Sequence, residues 1–449
     1  MNLLRRSLLL RYSLQFGLLV FILITPIHIA RSQKLEAKDR DRGVTMLRWL
    51  KDELKKNYYD PNFRGMDVDA RFKTAEDKLK QATSLGQVMT IIAQALMDLD
   101  DSHTFFVPPG RQNRTKYGWN MQIIGDRCFV NWVEKGSDAE AKGVKPGDEV
   151  LQAGGYQIDR SNLWKFLYLY NSLRPQPGIR VTLRSPSGEQ RQLDLMAKEI
   201  KGKAVIDMSI QHEWLELIRR SWRQAELDRD GFQSFGDDLF LWNMHDFDLT
   251  ESEIDDVMSK ARKHKALILD LRGNGGGWIS TVTRLVSNLF DHDVKICDMK
   301  SRKEAKPLTA KTRGSDKVFN GKLIVLVDSN SASASEILSR TVQLEKRGTV
   351  IGDQTMGAVM ASQQFQDQAG LDFVVYFGAS ITVWDLIMTD GNSLEHRGVT
   401  PDEKRLPTAE DLAAERDPVL SYAASLAGVS LDPVAAGRLF PVPAKISDQ

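Results

Sequence analysis

The spacing of apolar residues changes along this chain, and each change marks a different kind of structure. Met46, Leu47, Trp49, Leu50, Leu54 and Tyr58 recur near the helical period, and a second helical run extends from about Leu85 to Leu99. Residues 40–112 therefore read as a small N-terminal helical domain, which Pro108-Pro109-Gly110 ends. From Tyr117 to Met196 the runs shorten to strand length, at Met121 to Ile124, Cys128 to Val133, Glu149 to Gln152 and Arg180 to Arg184, with a helix at Asn162 to Ser172. Residues 113–199 are thus predicted to form a β-rich domain. Beyond residue 200, strands alternate with helices. Phe240 to Phe247 is a strand, Thr250-Glu251-Ser252-Glu253 caps a helix running to His264, and the runs Ala266 to Leu271 and Leu323 to Val327 are buried strands. Such alternation predicts an α/β domain over 200–406, a mostly parallel sheet with flanking helices. Residues 407–449 read as a helical tail that ends in Ala/Pro-rich sequence.

The N-terminus follows another pattern. Arg5, Arg6 and Arg11 precede an apolar stretch from Phe16 to Ala30, and a charged run from Lys34 to Arg40 follows. That is the layout of a secretory signal over residues 1–33, either cleaved near Ala30 to Gln33 or kept as a membrane anchor. The body of the protein is expected to be exported, to the bacterial periplasm or the outer side of the membrane. Its 61 Lys and Arg against 60 Asp and Glu, with no basic stripe, argue against a nucleic-acid partner. Only Cys128 and Cys297 are present, at no metal-ligand spacing, so neither a disulfide framework nor a structural metal is expected, and no cofactor.

Two strand ends carry candidate chemistry. The strand Leu323 to Val327 runs into Asn330-Ser331-Ala332-Ser333-Ala334-Ser335-Glu336, a small-residue serine cluster at a strand-to-helix junction. Unpaired N–H groups and the positive end of the helix dipole there would stabilise an oxyanion beside Ser333. The same residues also read as a capping box, Ser333 with Glu336 three positions on. Upstream, Ala266 to Leu271 runs into Arg272-Gly273-Asn274-Gly275-Gly276-Gly277, a turn whose backbone can approach a substrate closely. It fits neither a dinucleotide fingerprint, because Trp278 takes the last glycine place, nor a P-loop, because no Gly-Lys-Ser/Thr follows.

In that order, and followed by Gly352-Asp353-Gln354-Thr355-Met356-Gly357 and Gly398-Val399-Thr400-Pro401-Asp402, these segments resemble the tail-specific, or C-terminal processing, serine peptidases and their tricorn-like branch. The resemblance covers most of the chain after about residue 40. It implies that Ser333 is the nucleophile and that the N–H of Ala334, with one from Gly276 or Gly277, forms the oxyanion hole. One departure stands out. The best-known members carry a lysine base just after the glycine matched by Gly357, and here that place is Ala358. Asp101-Ser102-His103-Thr104 resembles the Asp-Ser-His segment of the tricorn-like branch, whose base is histidine. By that match His103 is the base, and Glu395, acting through Ser102, orients it. An imidazole with an ordinary pKa of about 6.5 suits acyl transfer at neutral pH. His396 is the competing base, and a solvated loop charge is the competing reading of Glu395.

The segment Gly136 to Leu151 looks like part of a PDZ domain, with Tyr117-Gly118-Trp119-Asn120 where the peptide carboxylate would be held. The implied activity is an exported serine-type peptidase acting through an acyl-enzyme on proteins or peptides with free C-termini, with oligomerisation left open. The alternative is a catalytically inactive PDZ-containing peptide-binding or scaffold protein, favoured by Ala358, and a third class is an apolar-ligand carrier on the same fold.

Overall fold

A computed structural model of the chain describes residues 35–111, 113–201, 231–370 and 374–440. The signal segment predicted over 1–33 lies outside these residues. The described residues form one compact unit.

Its centre is a six-stranded sheet with the order Glu403–Lys404, Thr349–Gly352, Lys322–Val327, Ala266–Asp270, Leu239–Asn243 and Gly231–Phe235. All neighbours are parallel except the last pair. Because side chains alternate along a strand, each strand feeds two cores. Phe240, Trp242, Leu267, Leu269, Leu323 and Val325 face the helices Glu251–Ala261, Ile279–Leu289 and Ala334–Leu344. Leu239, Leu241, Ile268, Ile324, Leu326 and Ile351 face Val419, Leu420, Ala423 and Ala424 of the helix Pro418–Leu426. The C-terminal segment is therefore no appendage: it covers one face of the sheet. The strand read over Phe240 to Phe247 pairs only to Asn243, since Asp270 takes the Met244 N–H and Phe247 turns away to bridge Gly277.

A second, antiparallel sheet is built on the long hairpin Met360–Ala369 and Val375–Met388, joined by Val294–Lys300 and Ala305–Ala310. The N-terminal helices Ala37–Asn57, Val68–Gln81 and Leu85–Met97 pack on it through Phe377, Ala379 and Ile381. The predicted helical segment 40–112 is not wholly helical. Phe105–Val107 is a strand paired with Gly378 to Ser380, because the apolar Phe106 is buried in that core. This pairing delivers Asp101-Ser102-His103 to the sheet.

Residues 119–196 form a five-stranded antiparallel sheet, Trp119–Ile124, Arg127–Val133, Glu149–Ala153, Gly178–Arg184 and Gln190–Met196, with a helix starting at Leu163. It sits on the loops of the central sheet. Asp353 accepts the Gly125 N–H at 2.8 Å and pairs with Arg160, while Asp328 accepts Gln122 Nε2 at 2.6 Å and Ser329 donates its hydroxyl to the Ile123 carbonyl.

The C-terminal helix is tied to the strand that leads into the glycine turn. Arg272 bonds both oxygens of the buried Asp270 (2.9 and 2.6 Å) and both of Asp417 (3.0 and 2.7 Å), and Asp417 caps the Pro418–Leu426 helix through the Leu420 N–H. Removing the cation leaves the buried Asp270 carboxylate with only the backbone N–H of residue 272 and no opposite charge. Arg272→Ala is expected to lower unfolding free energy by about 3–5 kcal/mol, measured by urea titration. A loss under about 1 kcal/mol would show that the pair is dispensable.

Candidate active site

Ser333 stands where the Lys322–Val327 strand has turned into the Ala334–Leu344 helix, with φ +54° and ψ −112°. Positive φ is costly for serine, and strain of this kind persists only where surrounding bonds impose it. Those bonds are visible. The Ser333 N–H donates to the Ala358 carbonyl at 2.9 Å and to Glu336 Oε2 at 2.9 Å, and the Ala332 N–H donates to the Asn274 carbonyl at 3.0 Å. Between Ser331 and Ser339 only Ser333 is not fully buried. The neighbouring serines are structural, since Ser331 Oγ donates to the Leu271 carbonyl and Ser335 Oγ to the Asn274 carbonyl.

The glycine turn lies against this elbow. Asn274 organises it, donating from Nδ2 to the Met244 carbonyl and accepting the Gly276 N–H on Oδ1 at 2.8 Å. That bond narrows the expectation of an N–H from Gly276 or Gly277: the Gly276 N–H is directed to Asn274, which leaves Gly277 as the candidate partner of Ala334. Gly276 matters for its lack of a side chain. Its φ is +97°, and a Cβ there would lie 2.7 Å from Ser333 Cβ and 2.9 Å from Ala334 N.

The Asp-Ser-His segment is held by a buried carboxylate. Asp101 accepts the His103 N–H at 2.9 Å, the Thr382 hydroxyl at 2.7 Å and the Tyr58 hydroxyl at 2.9 Å. Burial, with Asp101 beside it, pushes the Tyr58 phenol far above its ordinary range. Ser102 Oγ lies 2.8 Å from His103 Nδ1 and donates to Glu395 Oε2 at 2.8 Å, while the Ser102 N–H donates to Glu395 Oε1 at 2.8 Å. Glu395 is not a solvated charge: its side chain is 3% exposed, and it also accepts the Val359 N–H at 2.9 Å. The structure thus brings Ser102, His103 and Glu395 into one hydrogen-bonded relay. The competing His396 is an exposed residue whose Nε2 lies 2.8 Å from the Asp100 carbonyl and near Arg64.

Sequence reasoning missed the carboxylate at the centre. Glu336 is fully buried and does more than complete a capping box. Oε1 accepts the Thr355 hydroxyl at 2.6 Å and the Gly357 N–H at 2.7 Å, and Oε2 accepts the N–H groups of Ser333 at 2.9 Å and Ala358 at 3.0 Å. Burial pushes this carboxyl up to about 7, against the downward pull of the four donors. A buried Glu in the first helical turn reads locally as a cap, which is why pattern alone did not separate it. Tyr58 registered only as the last apolar position of a helical run, and Thr382 left no signal in the sequence.

In the antiparallel domain, Tyr117 and Trp119 are buried, and Tyr117 Oη donates to the Gln176 carbonyl at 3.2 Å and accepts the Gln176 N–H at 3.0 Å. Gly118, at φ +72°, accepts the Glu134 N–H on its carbonyl, and Asn120 is half-buried on the sheet's edge strand.

A strained serine at a strand end, a glycine turn against it and a hydrogen-bonded Ser-His-Glu relay are elements that serine hydrolases use. Residues 240–405 match the family model described as peptidase family S41. The chain is 23% identical over 372 residues to a probable CtpA-like serine protease of Staphylococcus haemolyticus, covering 82% of this chain and 66% of that protein. It is 22% identical over 355 residues to a protein of the same description from Staphylococcus saprophyticus, covering 75% of this chain and 64% of that protein. The chain thus spans slightly less than two thirds of the length of these relatives. Among solved structures, mature CPAF complexed with lactacystin aligns with a TM-score of 0.62 at 14% identity, over 90% of this chain and 99% of that one, a likeness of fold.

Gly276→Ala tests the close approach at the elbow. The added methyl would meet Ser333 and the Ala334 N–H at sub-contact distance, in a backbone conformation that disfavours alanine. Labelling of Ser333 by a fluorophosphonate is expected to slow by at least about a hundredfold while the far-ultraviolet dichroism is retained. Labelling at the parent rate would mean that this turn is not part of the site.

Proposed function

We propose that the chain is an exported serine-type peptidase that cleaves proteins or peptides through an acyl-enzyme on Ser333. The observation that carries this reading is the relay Glu395–Ser102–His103, because a scaffold protein has no use for an imidazole bonded through a hydroxyl to a buried carboxylate. His103 takes the proton from the Ser333 hydroxyl as it attacks the carbonyl, then returns it to the leaving amine. Glu395 and Ser102 hold the ring's Nδ1 side, and the N–H groups of Ala334 and Gly277 receive the oxyanion. Water then hydrolyses the ester with His103 again as base. The family-typical lysine is not needed: Ala358 contributes its backbone and His103 replaces the amine.

The five-stranded domain is read as a PDZ module that admits C-terminal tails at its edge strand, with Tyr117, Gly118, Trp119 and Asn120 around the terminal carboxylate. Export, by cleaved signal or by anchor, rests on the arginines and apolar stretch of residues 1–33.

Ser333→Ala is expected to abolish cleavage of a loosely folded protein. His103→Ala should reduce kcat by at least about a hundredfold, and Glu395→Gln by less. Parent activity should fall on acidification as the imidazole takes up its proton and ceases to be a base. An active Ser333→Ala protein would sink the reading, whereas a parent that neither cleaves nor labels would leave the inactive peptide-binding reading.

Recognition has its own test. Peptides ending in apolar residues with a free carboxylate should bind at least about tenfold tighter than their C-terminal amides, measured calorimetrically on the Ser333→Ala protein. Equal affinities would make the domain a spacer.

A further inference from the structure

We propose that Glu336, a residue that touches no substrate, is the positioning residue that sets the nucleophile in register with its base. The proposal rests on the peptidase reading above and deepens it. Three consecutive N–H groups, those of Gly357, Ala358 and Val359, are divided between two carboxylates: the first two go to Glu336 and the third to Glu395. Glu336 belongs to the Ala334–Leu344 helix and also accepts the Ser333 N–H. Glu395 also accepts the N–H and hydroxyl of Ser102, next to His103. The segment 357–359 is therefore the common rail for both halves of the reaction centre, and Glu336 fixes the serine half to it.

The bonding leaves little slack. Each Glu336 oxygen receives two donors, so the carboxylate's acceptor positions are filled. The Ser333 N–H also reaches the Ala358 carbonyl, closing a ring in which Ala358 donates to Glu336, Glu336 accepts from Ser333, and Ser333 donates back to Ala358. That ring holds Ser333 at its positive φ. The Thr355 hydroxyl, which donates to Glu336, accepts the Val399 N–H at 2.6 Å, so the clamp extends to the loop that follows Glu395.

Two substitutions separate positioning from bulk stability. In Glu336→Gln an amide NH2 in the place of Oε1 leaves the Thr355 hydroxyl proton and the Gly357 N–H without that acceptor, while the Ser333 and Ala358 bonds to the remaining oxygen survive. In Glu336→Leu all four donors lose theirs. With a peptide substrate, kcat is expected to fall by about tenfold for Gln and by at least about a hundredfold for Leu, with KM within about twofold of the parent. Leu338→Ala, which removes a buried side chain from the same helix outside the site, is the stability control and should keep its kcat below its melting temperature. Amide hydrogen exchange in segments 331–336 and 355–359 should accelerate by at least about tenfold in Glu336→Leu relative to Leu338→Ala. Unchanged exchange and kcat in Glu336→Leu, or an equal loss of kcat in Leu338→Ala, would overturn the proposal. The exchange measurement needs no turnover, so an inert parent would defeat the peptidase reading while exchange still decides whether Glu336 is a clamp.

Discussion

Everything at the candidate active site hangs on three peptide units, Gly357 to Val359. Their N–H groups are held by Glu336 and Glu395, the Ala358 carbonyl receives the Ser333 N–H, and the Gly357 carbonyl receives the His396 N–H at 2.8 Å. Three chain segments far apart in sequence thus read their positions from one short backbone stretch. Backbone is a good ruler because it has no rotamers to lose. Buried carboxylates are good fasteners for the same reason that they are costly: without their donors they would be strongly disfavoured in a dry site, so the bonded arrangement has no near competitor. The strain at Ser333 is maintained by this surplus of bonds.

The same principle links the antiparallel domain to the site. Asp328 receives the N–H of Gly273 in the glycine turn and those of Asn330 and Ser331 in the elbow, and its other oxygen takes Gln122 from the edge strand. Arg160 spans Gly125, Asp353 and Gln354, just before Thr355. A domain resting on loops through apolar contact alone could slide over them. One bonded to the loops that carry Ser333 and Thr355 has its edge strand placed relative to the elbow, so a peptide extending along that strand would meet the site from a fixed direction.

How much of this could be read from the sequence depended on the range of the interaction. Strand and helix identity was legible because it follows local periodicity: Ala266 to Leu271 and Leu323 to Val327 are unbroken apolar runs, and the Thr250 to Glu253 box caps its helix as its residue types dictate. The Ser333 elbow and the Ser102-His103 segment were legible as ordered landmarks. Glu336 was visible only as half of a cap, since its bonds to Thr355, Gly357 and Ala358 cross some twenty positions of sequence. The competition between Gly276 and Gly277 could not be settled from composition, because it turns on where the Asn274 side chain points. Phe105–Val107 was absorbed into a helical segment because three residues are too few to show a period, and its pairing partner lies far along the chain.

The alanine in the lysine place makes physical sense in this light. In the lysine design that position must deliver an amine into the site, whereas here its side chain is buried, with 9% exposure, and its peptide group is committed in both directions, N–H to Glu336 and C=O to Ser333. An ammonium at residue 358 would have to be desolvated beside the carboxylate of Glu336, and would compete for an acceptor whose lone pairs already hold four donors. A histidine base arriving from the 101–104 segment avoids that conflict, because its orienting carboxylate, Glu395, is a separate group with its own donors. On the proposed peptidase reading the two features go together: residue 358 contributes only its backbone bonds, to Glu336 and Ser333, and the proton is handled by the Glu395–Ser102–His103 relay.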